Sequence, residues 1–277
     1  MSPFEQIKTR KASIFKREVG LSLKNFKRLL GKVQRYLAEE QAHNPLSRRG
    51  QKSSLLLEDR LLLTLFYLRS YPTFLNLGTQ FGISESYAQK LFHRFSEILV
   101  QVLHVKSRSA LSSADLKAVV LDVSEQPIER PQRRQKAYYS GKKKRHTIKT
   151  QLVVSLSTLT ILTVFCVKGK VHDFQMLKKS RLRLPPGVLK LGDSGYQGIQ
   201  TLYSNTLIPI KKKKDIPLTP EEKQFNRMLA QQRIVIEHVN RRCKIFRSVK
   251  ETYRGKHKNY GKIWNIVAGL VNLRYAA

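Results

Sequence analysis

Three carboxylates of this sequence have neighbours that would suit a catalytic metal site. Asp122 follows the apolar run 118–121, Asp193 follows the predicted strand 188–192, and Glu237 lies among Ile and Val residues of a long predicted helix. Side chains that follow buried strands collect at one edge of an open α/β sheet, where active sites form. Mg²⁺ prefers carboxylate oxygens, and two such ions about 3.5–4 Å apart can catalyse phosphodiester cleavage. We therefore expect Asp122, Asp193 and Glu237 to bind two Mg²⁺ ions, for which Mn²⁺ would substitute.

An ion pair is the alternative for each of these acids, because the chain has 53 Lys and Arg against 19 Asp and Glu. For any single acid the ion pair is the simpler interpretation, whereas the three together favour the metal site. Asp173 is better explained as a helix N-cap, and His172 and His238 as structural residues. Cys166 and Cys243 lack the close spacing of a cysteine zinc site.

The elements that must position the three carboxylates form the pattern of a mixed sheet flanked by helices. Apolar and β-branched runs predict strands, and longer amphipathic runs predict helices. The predicted strands are 118–121, 148–155, 161–168, 188–192 and 206–210, and the predicted helices are 174–182, 199–204, 219–246 and 263–274. Three strands followed by alternating helices and strands is the order of a ribonuclease H-like α/β domain.

The first half of the chain predicts an all-α domain that contains a helix-turn-helix. A short helix, a turn at Gly82 and a second helix capped by Ser84 follow one another. The second helix would direct Gln89, Lys90 and Arg94 outward, where they would read a DNA major groove. The alternative is an ordinary helical hairpin, and the positive charge of the chain favours DNA binding.

The residues before this motif predict a basic arm, two helices and a linker. The arm would occupy residues 1–20, and an amphipathic helix would begin at Ser22. A polar linker is expected at 43–54, and a second helix would begin at Ser53 or Ser54.

The formal net charge of +34 indicates a polyanionic partner, because self-repulsion destabilises a compact chain. Nucleic acid and an anionic membrane are the two candidates. The longest apolar stretch, 152–167, contains Ser and Thr and is too short to span a bilayer, and the charged N-terminus is unlike a signal peptide. We therefore expect a cytoplasmic, nucleoid-associated protein whose partner is double-stranded DNA and not a membrane.

The densest positive charge lies at 130–149, which holds nine basic side chains and no acidic one. Tyr138 and Tyr139, in the middle of this stretch, would either stack on unpaired bases or pack locally. Because the same half of the chain carries the three carboxylates, the positive charge predicts a surface that binds DNA next to the point of cleavage. Phosphate contacts are expected from Arg133, Arg134, Lys142, Lys143, Lys144 and Arg145.

Five motifs of the sequence together resemble one enzyme family. They are VVLDVSEQPIERP, YYSGKKKRHTIKTQ, KGKVHDF, LGDSGYQG and RIVIEHVNRRCKIFR. In combination they are similar to bacterial insertion-sequence transposases of the DDE type, in the branch similar to PIF/Harbinger transposases. The resemblance covers roughly residues 45–275.

The resemblance gives roles to the acids and to two basic residues near Glu237. It implies that Asp122, Asp193 and Glu237 are the catalytic triad. It also implies that Arg233 and Lys244, on the helix of Glu237, hold DNA phosphates. The family motif has Tyr where this chain has Ala230.

A DNA transposase of three segments is the function that the resemblance implies. Residues 1–50 would supply the arm and a first helix, 51–112 would bind terminal inverted repeats, and 115–277 would cut and join DNA. A homodimer or larger assembly would cleave the ends and transfer them into target DNA. Two alternatives remain open: a non-catalytic DNA-binding protein (a repressor or a domesticated transposase), and a metal-dependent nuclease without strand transfer.

Overall fold

A computed structural model describes residues 1–43, 54–105, 116–212 and 216–274 of the chain. The chain forms two compact units. The first comprises Met1–His104, Ile245–Lys250 and Asn265–Ala277, and the second comprises Val105–Lys244 and Glu251–Trp264. Within the described part, no helix is both long and apolar enough to cross a membrane. The predicted segment boundaries stay predictions, and the predicted linker lies almost wholly outside the described residues.

The described residues before 106 form six helices. They are α1 (Pro3–Lys8), α2 (Ala12–Val19), α3 (Leu23–His43), α4 (Leu57–Ser70), α5 (Phe74–Phe81) and α6 (Glu85–Leu103). The basic arm predicted for residues 1–20 is largely helical and forms α1 and α2, which bury Phe4, Ile7, Phe15 and Val19. The Phe4 ring stacks on that of Phe26, and the backbone N–H of Phe4 donates to buried Asp59.

The caps of α3 and α4 differ in how well the sequence predicts them. The Ser22 hydroxyl accepts a hydrogen bond from the backbone N–H of Asn25, which confirms the predicted start of α3. The predicted serine cap of α4 is wrong, because Leu56 occupies the cap position and no side chain caps this helix. Tyr71 ends α4 in a left-handed conformation, directly before Pro72.

The helix-turn-helix is confirmed in α5 and α6. Thr73 caps α5, and Gly82 ends it with a φ of 65° that favours glycine. The Ser84 side chain then accepts from the backbone N–H of Tyr87 and starts α6. A Cβ on Gly78 would lie 2.7 Å from the Ile83 carbonyl oxygen, so the turn requires glycine there.

The second unit is built around a mixed β-sheet. Its strands are β1 (Ala118–Pro127), β2 (Tyr139–Ser140), β3 (Arg145–Ser155), β4 (Ile161–Lys168), β5 (Leu189–Leu191) and β6 (Thr206–Leu207). The main order is β4-β3-β1-β5-β6, and β2 extends the sheet beside the start of β3. β4, β3 and β1 are antiparallel, whereas β1, β5 and β6 are parallel. This arrangement confirms the predicted ribonuclease H-like α/β fold.

Four helices follow in the second half of the chain. They are α7 (Gln135–Tyr138), α8 (Asp173–Ser180), α9 (Pro220–Cys243) and α10 (Tyr260–Leu273). α9 begins with a capping box, in which Thr219 and Glu222 each bond to the other's backbone. On one face of the sheet, Val119, Leu121 and Val153 pack in a core with Leu177 and Tyr196.

Several predicted elements differ from the observed ones, and the strand predicted at 206–210 is only the two-residue β6. β1 does not end at Asp122 but continues to Pro127, because it pairs with β3 along that whole length. The predicted helix at 199–204 is a single 3₁₀ turn, Ile199–Thr201, that follows another 3₁₀ turn, Ser194–Tyr196. Asp122 therefore lies within a paired strand, and the pairing of β1 with β3 fixes its position in the sheet.

Candidate active site

Parallel pairing of β1 with β5 brings Asp122 and Asp193 to the same level of the sheet. Val120 pairs with Leu191, and each aspartate lies two residues beyond its paired residue. The pairing ends at this point, since β5 ends at Leu191. Both aspartates therefore line the cavity, about 240 Å³ in volume, that opens beyond the end of β5.

The cavity combines acidic and basic side chains in equal number. The acids are Asp122, Glu125, Asp173 and Asp193, the bases are Lys142, Lys143, Lys149 and Lys244, and Val123, Ser124 and Asn240 complete the lining. Such a mixture suits a site that binds cations at its acids and phosphates at its lysines.

Asp122 is the most constrained acid of the cavity. The Asn240 side chain donates a hydrogen bond of 2.5 Å to its Oδ2, and Arg233 Nη2 lies 4.0 Å from its Oδ1. Burial, followed by the negative charge of Asp193, raises the pKa of Asp122, although Arg233 and Asn240 act in the opposite direction. The positive charge around Asp122 is therefore too small to offset its burial beside Asp193.

Gly195 is the close-packed point between Asp173 and Asp193. Its backbone N–H donates a 2.9 Å hydrogen bond to Asp193 Oδ1. A Cβ at this position would lie 2.8 Å from Asp173 Oδ2 and 3.0 Å from Asp193 Oδ1. A side chain at this position would therefore have to displace the two carboxylates.

Asp173 is held by Lys149 and does not cap a helix. The predicted N-cap role is wrong, because His172 occupies the cap position of α8 and Asp173 is the first helical residue. Lys149 Nζ lies 2.9 Å from Asp173 Oδ1 and also donates to the Val171 carbonyl at 2.9 Å. Asp173 thus enters the cavity with its charge already paired.

Tyr196 lies fully buried next to the carboxylates. Burial, followed by the charges of Asp122, Asp193 and Asp173, holds the pKa of its phenol well above the usual range. Its hydroxyl has no hydrogen-bond partner among the described residues. Tyr196 therefore stays neutral and packs the core beneath the acids.

Glu237 shares one stripe of α9 with three residues of the site. Arg233, Glu237, Asn240 and Lys244 are spaced by four, three and four residues, which places them along one helix face. Arg233 and Asn240 contact Asp122, and Lys244 lines the cavity. The Glu237 side chain is exposed and is not part of the cavity lining.

The donors in the cavity fit a divalent cation. Asp122 and Asp193 offer hard carboxylate oxygens, and the buried oxygens Asn240 Oδ1 and Ser124 Oγ have no hydrogen-bond partner in the described part of the chain. No three His, Cys, Asp or Glu residues of the described ranges are grouped so that they could hold an ion together. The structure thus brings two of the three predicted ligands together and leaves Glu237 at the solvent side.

The predicted phosphate-binding residues of the second unit fall into three groups. Lys142, Lys143 and Lys244 line the cavity, whereas Arg233 lies beside Asp122. The other four are exposed: Arg133 and Arg134 precede α7, Lys144 lies in the turn between β2 and β3, and Arg145 begins β3.

The two tyrosines of this segment have different surroundings. The Tyr138 ring packs against His257, with centroids 4.9 Å apart, and Lys168 Nζ lies 5.3 Å from its centroid. Tyr138 therefore packs locally, whereas Tyr139 remains exposed beside His146.

The predicted reading residues of the first unit lie on α6. Gln89, Lys90 and Arg94 are all exposed. Arg94 forms an ion pair with Glu40 of α3. Gln89 and Lys90 thus sit on the open face of the second helix of the motif.

Sequence reasoning missed three residues that shape the site. Asn240 had a detectable signal, because it follows Glu237 by three residues on the same predicted helix. Lys149 and Tyr196 had none, because their roles depend on contacts between β3, α8 and the turn after β5.

Two family models match this chain. The model described as "DDE superfamily endonuclease" matches residues 121–272, and the model described as "Helix-turn-helix of DDE superfamily endonuclease" matches residues 53–104. The first match includes all three predicted triad positions, and the second includes α5 and α6. Endonucleases of the DDE superfamily typically use divalent metal ions.

Two relatives are similar to the chain over most of its length. The probable transposase for insertion sequence element IS702 of Microchaete diplosiphon is 36% identical over 276 residues, which cover 98% of each chain. A protein assigned as the transposase for insertion sequence element IS112 of Streptomyces albus G is 27% identical over 235 residues, 84% of each chain.

Proposed function

This chain belongs to the DDE-type insertion-sequence transposases, and on that premise we propose that it cuts the ends of a DNA element and joins them to target DNA. Asp122, Asp193 and Glu237 are the proposed catalytic triad. The observation that supports this proposal most strongly is the β1–β5 register. Asp122 and Asp193 each lie two residues beyond a pair of neighbouring strand residues, and Asp122 contacts the residues of the α9 stripe. Glu237 completes the set when its exposed side chain turns toward Asp122.

Mg²⁺ is the proposed ion, two ions are the proposed number, and Mn²⁺ is the proposed substitute. Bound there, the ions would activate the attacking oxygen and stabilise the leaving oxygen. Asn240 and Arg233 hold the Asp122 carboxylate in place, and the Gly195 N–H does the same for Asp193. Lys142, Lys143 and Lys244 bind the phosphates that flank the scissile bond.

End recognition is the proposed role of the helix-turn-helix. Gln89 and Lys90 of α6 reach base edges in a major groove of the terminal repeats, with Arg94 beside them. Two ends must be held together for joining, so the active form is a homodimer or a larger assembly on DNA. We also propose that the chain belongs to the branch similar to PIF/Harbinger transposases, which its five motifs resemble, and that it associates with the nucleoid.

Loss of cleavage in Asp122→Asn tests the proposed triad. Asn keeps the shape of the side chain but removes the charge that binds the ion. We expect cleavage of a labelled duplex carrying the element's end to fall at least about 100-fold, the scale of losing one electrostatic stabiliser of a transition state. Asp193→Asn and Glu237→Gln should behave alike, and DNA binding measured by fluorescence anisotropy should remain.

Glu129→Gln is the matched control, because Glu129 is an exposed acid of the same unit that does not line the cavity. Its cleavage rate should equal that of the natural chain. Metal-dependent cutting by Asp122→Asn at the control's rate would refute the triad.

A non-catalytic DNA-binding protein is the second candidate function. The exposed position of Glu237, away from the cavity lining, is the observation that favours it. A protein of this kind would bind element ends without cutting them in Mg²⁺ or Mn²⁺. A pre-cleaved end offered with target DNA separates a transposase from a nuclease, because only a transposase joins that end.

A further inference from the structure

Three basic segments that are distant in the sequence meet on the surface of the second unit. Residues 130–145, 168–170 and 254–258 together hold thirteen Lys and Arg and no Asp or Glu. The sequence singles out only the first of them as a dense positive stretch. We call these three segments the basic strip.

Backbone hydrogen bonds hold the basic strip together. The N–H of Lys170 donates to the Ala137 carbonyl, and that of Gly169 donates to the Thr147 carbonyl of β3. On the other side, the N–H of Glu129 donates to the Tyr253 carbonyl, directly before the third segment. These joining contacts are therefore made by the main chain.

Tyr138 is the side-chain contact shared by all three segments. It belongs to the first, its ring packs on His257 of the third, and Lys168 of the second lies over its face. Burial lowers the pKa of His257, so this histidine adds no positive charge near neutral pH. The ring contacts fix the spacing between the segments, and the lysines around them carry the charge.

Three exposed lysines of the strip form no ion pair in the described part of the structure. Lys170, Lys256 and Lys258 are exposed, and none of the ion pairs between described residues includes them. A concentration of like charge on a fixed frame is unfavourable by itself. It becomes favourable when phosphates replace the missing acids and release counterions.

We propose that the basic strip binds the backbone of duplex DNA outside the cavity. The strip starts at the cavity, because Lys142 and Lys143 of its first segment line the cavity wall. From there it passes over α7 to Lys170 and to the lysines beside His257. This proposal rests on the proposed function, and it adds the path along which the duplex leaves the site of cutting.

The triple variant Lys170→Gln/Lys256→Gln/Lys258→Gln tests the strip. The full chain is titrated with a fluorescent duplex of random sequence, about 40 base pairs long, at several salt concentrations. Each lost phosphate contact makes the slope of log K against log salt shallower by about 0.9. We expect the slope of the triple variant to be shallower by about 2.7, with weaker binding at every salt concentration.

A second triple variant of equal charge change, Lys117→Gln/Lys179→Gln/Lys223→Gln, is the control. These lysines are also exposed in the second unit. Lys117 precedes β1, Lys179 lies near the end of α8 and Lys223 lies in the first turn of α9. Each is several residues along the chain from the nearest cavity-lining residue. The control slope should match that of the natural chain. Arginine in place of the three strip lysines should restore the natural slope.

Equal slopes for the strip variant and the control would overturn the proposal. So would a strip variant that binds DNA normally but loses binding to phosphatidylserine vesicles, which would assign the strip to a membrane. The proposed function fails separately, if the natural chain does not cut an element end in Mg²⁺ or Mn²⁺. Where it does cut, the strip variant should show a raised KM and an unchanged kcat, because the triad is untouched.

Discussion

Asp122 carries an electrostatic cost that its protein neighbours do not remove. Its carboxylate is held by Asn240 and Arg233, yet burial and Asp193 still raise its pKa. A raised pKa means that ionisation is harder in the folded protein than in the unfolded chain. The group that would bind the ion thus weakens the metal-free fold.

The pH dependence of stability follows from this sign. A carboxyl with a raised pKa costs no stability below its unfolded value of 3.8, and it removes stability as the pH rises through its folded value. We therefore expect metal-free Asp122→Asn to have a higher Tm than the natural chain at pH 7, with the difference vanishing near pH 4. Mg²⁺ should raise the Tm of the natural chain more than that of the variant.

Differential scanning fluorimetry across this pH range gives the comparison, and Glu129→Gln serves again as the exposed control. A variant that is less stable than the natural chain at pH 7 would contradict the expected sign.

Gly195 is the residue on which the approach of Asp173 to Asp193 depends. In Gly195→Ala the new Cβ would meet both carboxylates at 3.0 Å or less. We expect the metal affinity, measured by calorimetry with Mn²⁺, to fall about 10-fold or more, the scale of losing a contact that orients a ligand. Gly187→Ala is the control, since nothing lies within 4 Å of a Cβ there. Unchanged Mn²⁺ affinity in Gly195→Ala would show that the packing at this point is not needed.

At the scale of elements, the two halves of α9 have different roles: the first contains the cap that stabilises the helix, and the second carries the residues of the site. Its N-terminus is fixed by the capping box of Thr219 and Glu222. The stripe from Arg233 to Lys244 lies in its second half, more than two helical turns further along. A change at the cap should therefore affect folding more than cutting.

Thr219→Ala tests this separation. The loss of an N-cap side chain costs about 1 kcal/mol, so the free energy of unfolding from urea titration should fall by about that amount. The cleavage rate at a temperature where the variant is fully folded should stay unchanged. Thr219→Ser retains the capping hydroxyl and should be nearly neutral. A large loss of cleavage in folded Thr219→Ala would show that the two ends of α9 are coupled.

The sequence predicts the elements whose signals are local. Gly82 and Ser84 mark the helix-turn-helix, Thr219 marks the start of α9, and β-branched runs mark β3 and β4. The full length of β1 is not predictable in this way, because only pairing with β3 extends it past Asp122. The same reason hides the Lys149–Asp173 pair, whose members belong to different elements. Asp122 and Asp193 were thus predictable as site residues from the runs that precede them, although β1 continues past Asp122, and their contacts were not predictable.

At the scale of the whole molecule, the charge of +34 opposes the compact state and favours the DNA complex. Added salt should therefore raise the stability of the free protein and lower its affinity for DNA. Screening weakens repulsion between exposed lysines and arginines, but it also reduces the gain from counterion release on DNA binding.

We expect the Tm of the free protein to rise as NaCl increases from about 50 mM to about 500 mM, while its affinity for DNA falls by several orders of magnitude. Thermal unfolding and anisotropy titrations on the same preparation measure both. A Tm that falls over this range would mean that attractive ion pairs, such as Arg10–Glu18, outweigh the repulsion.

The β1–β5 register has a consequence for how this site can change during evolution. About seventy residues separate Asp122 from Asp193 in the sequence, yet their meeting depends only on two short offsets from paired strand residues. Insertions in the turns after β3 or β4 would lengthen the chain and leave the two carboxylates where they are. One residue added at Gly192 would instead point the Asp193 side chain toward the opposite face of the sheet. Variation in length should therefore accumulate in the connecting turns and be absent between Leu191 and Asp193.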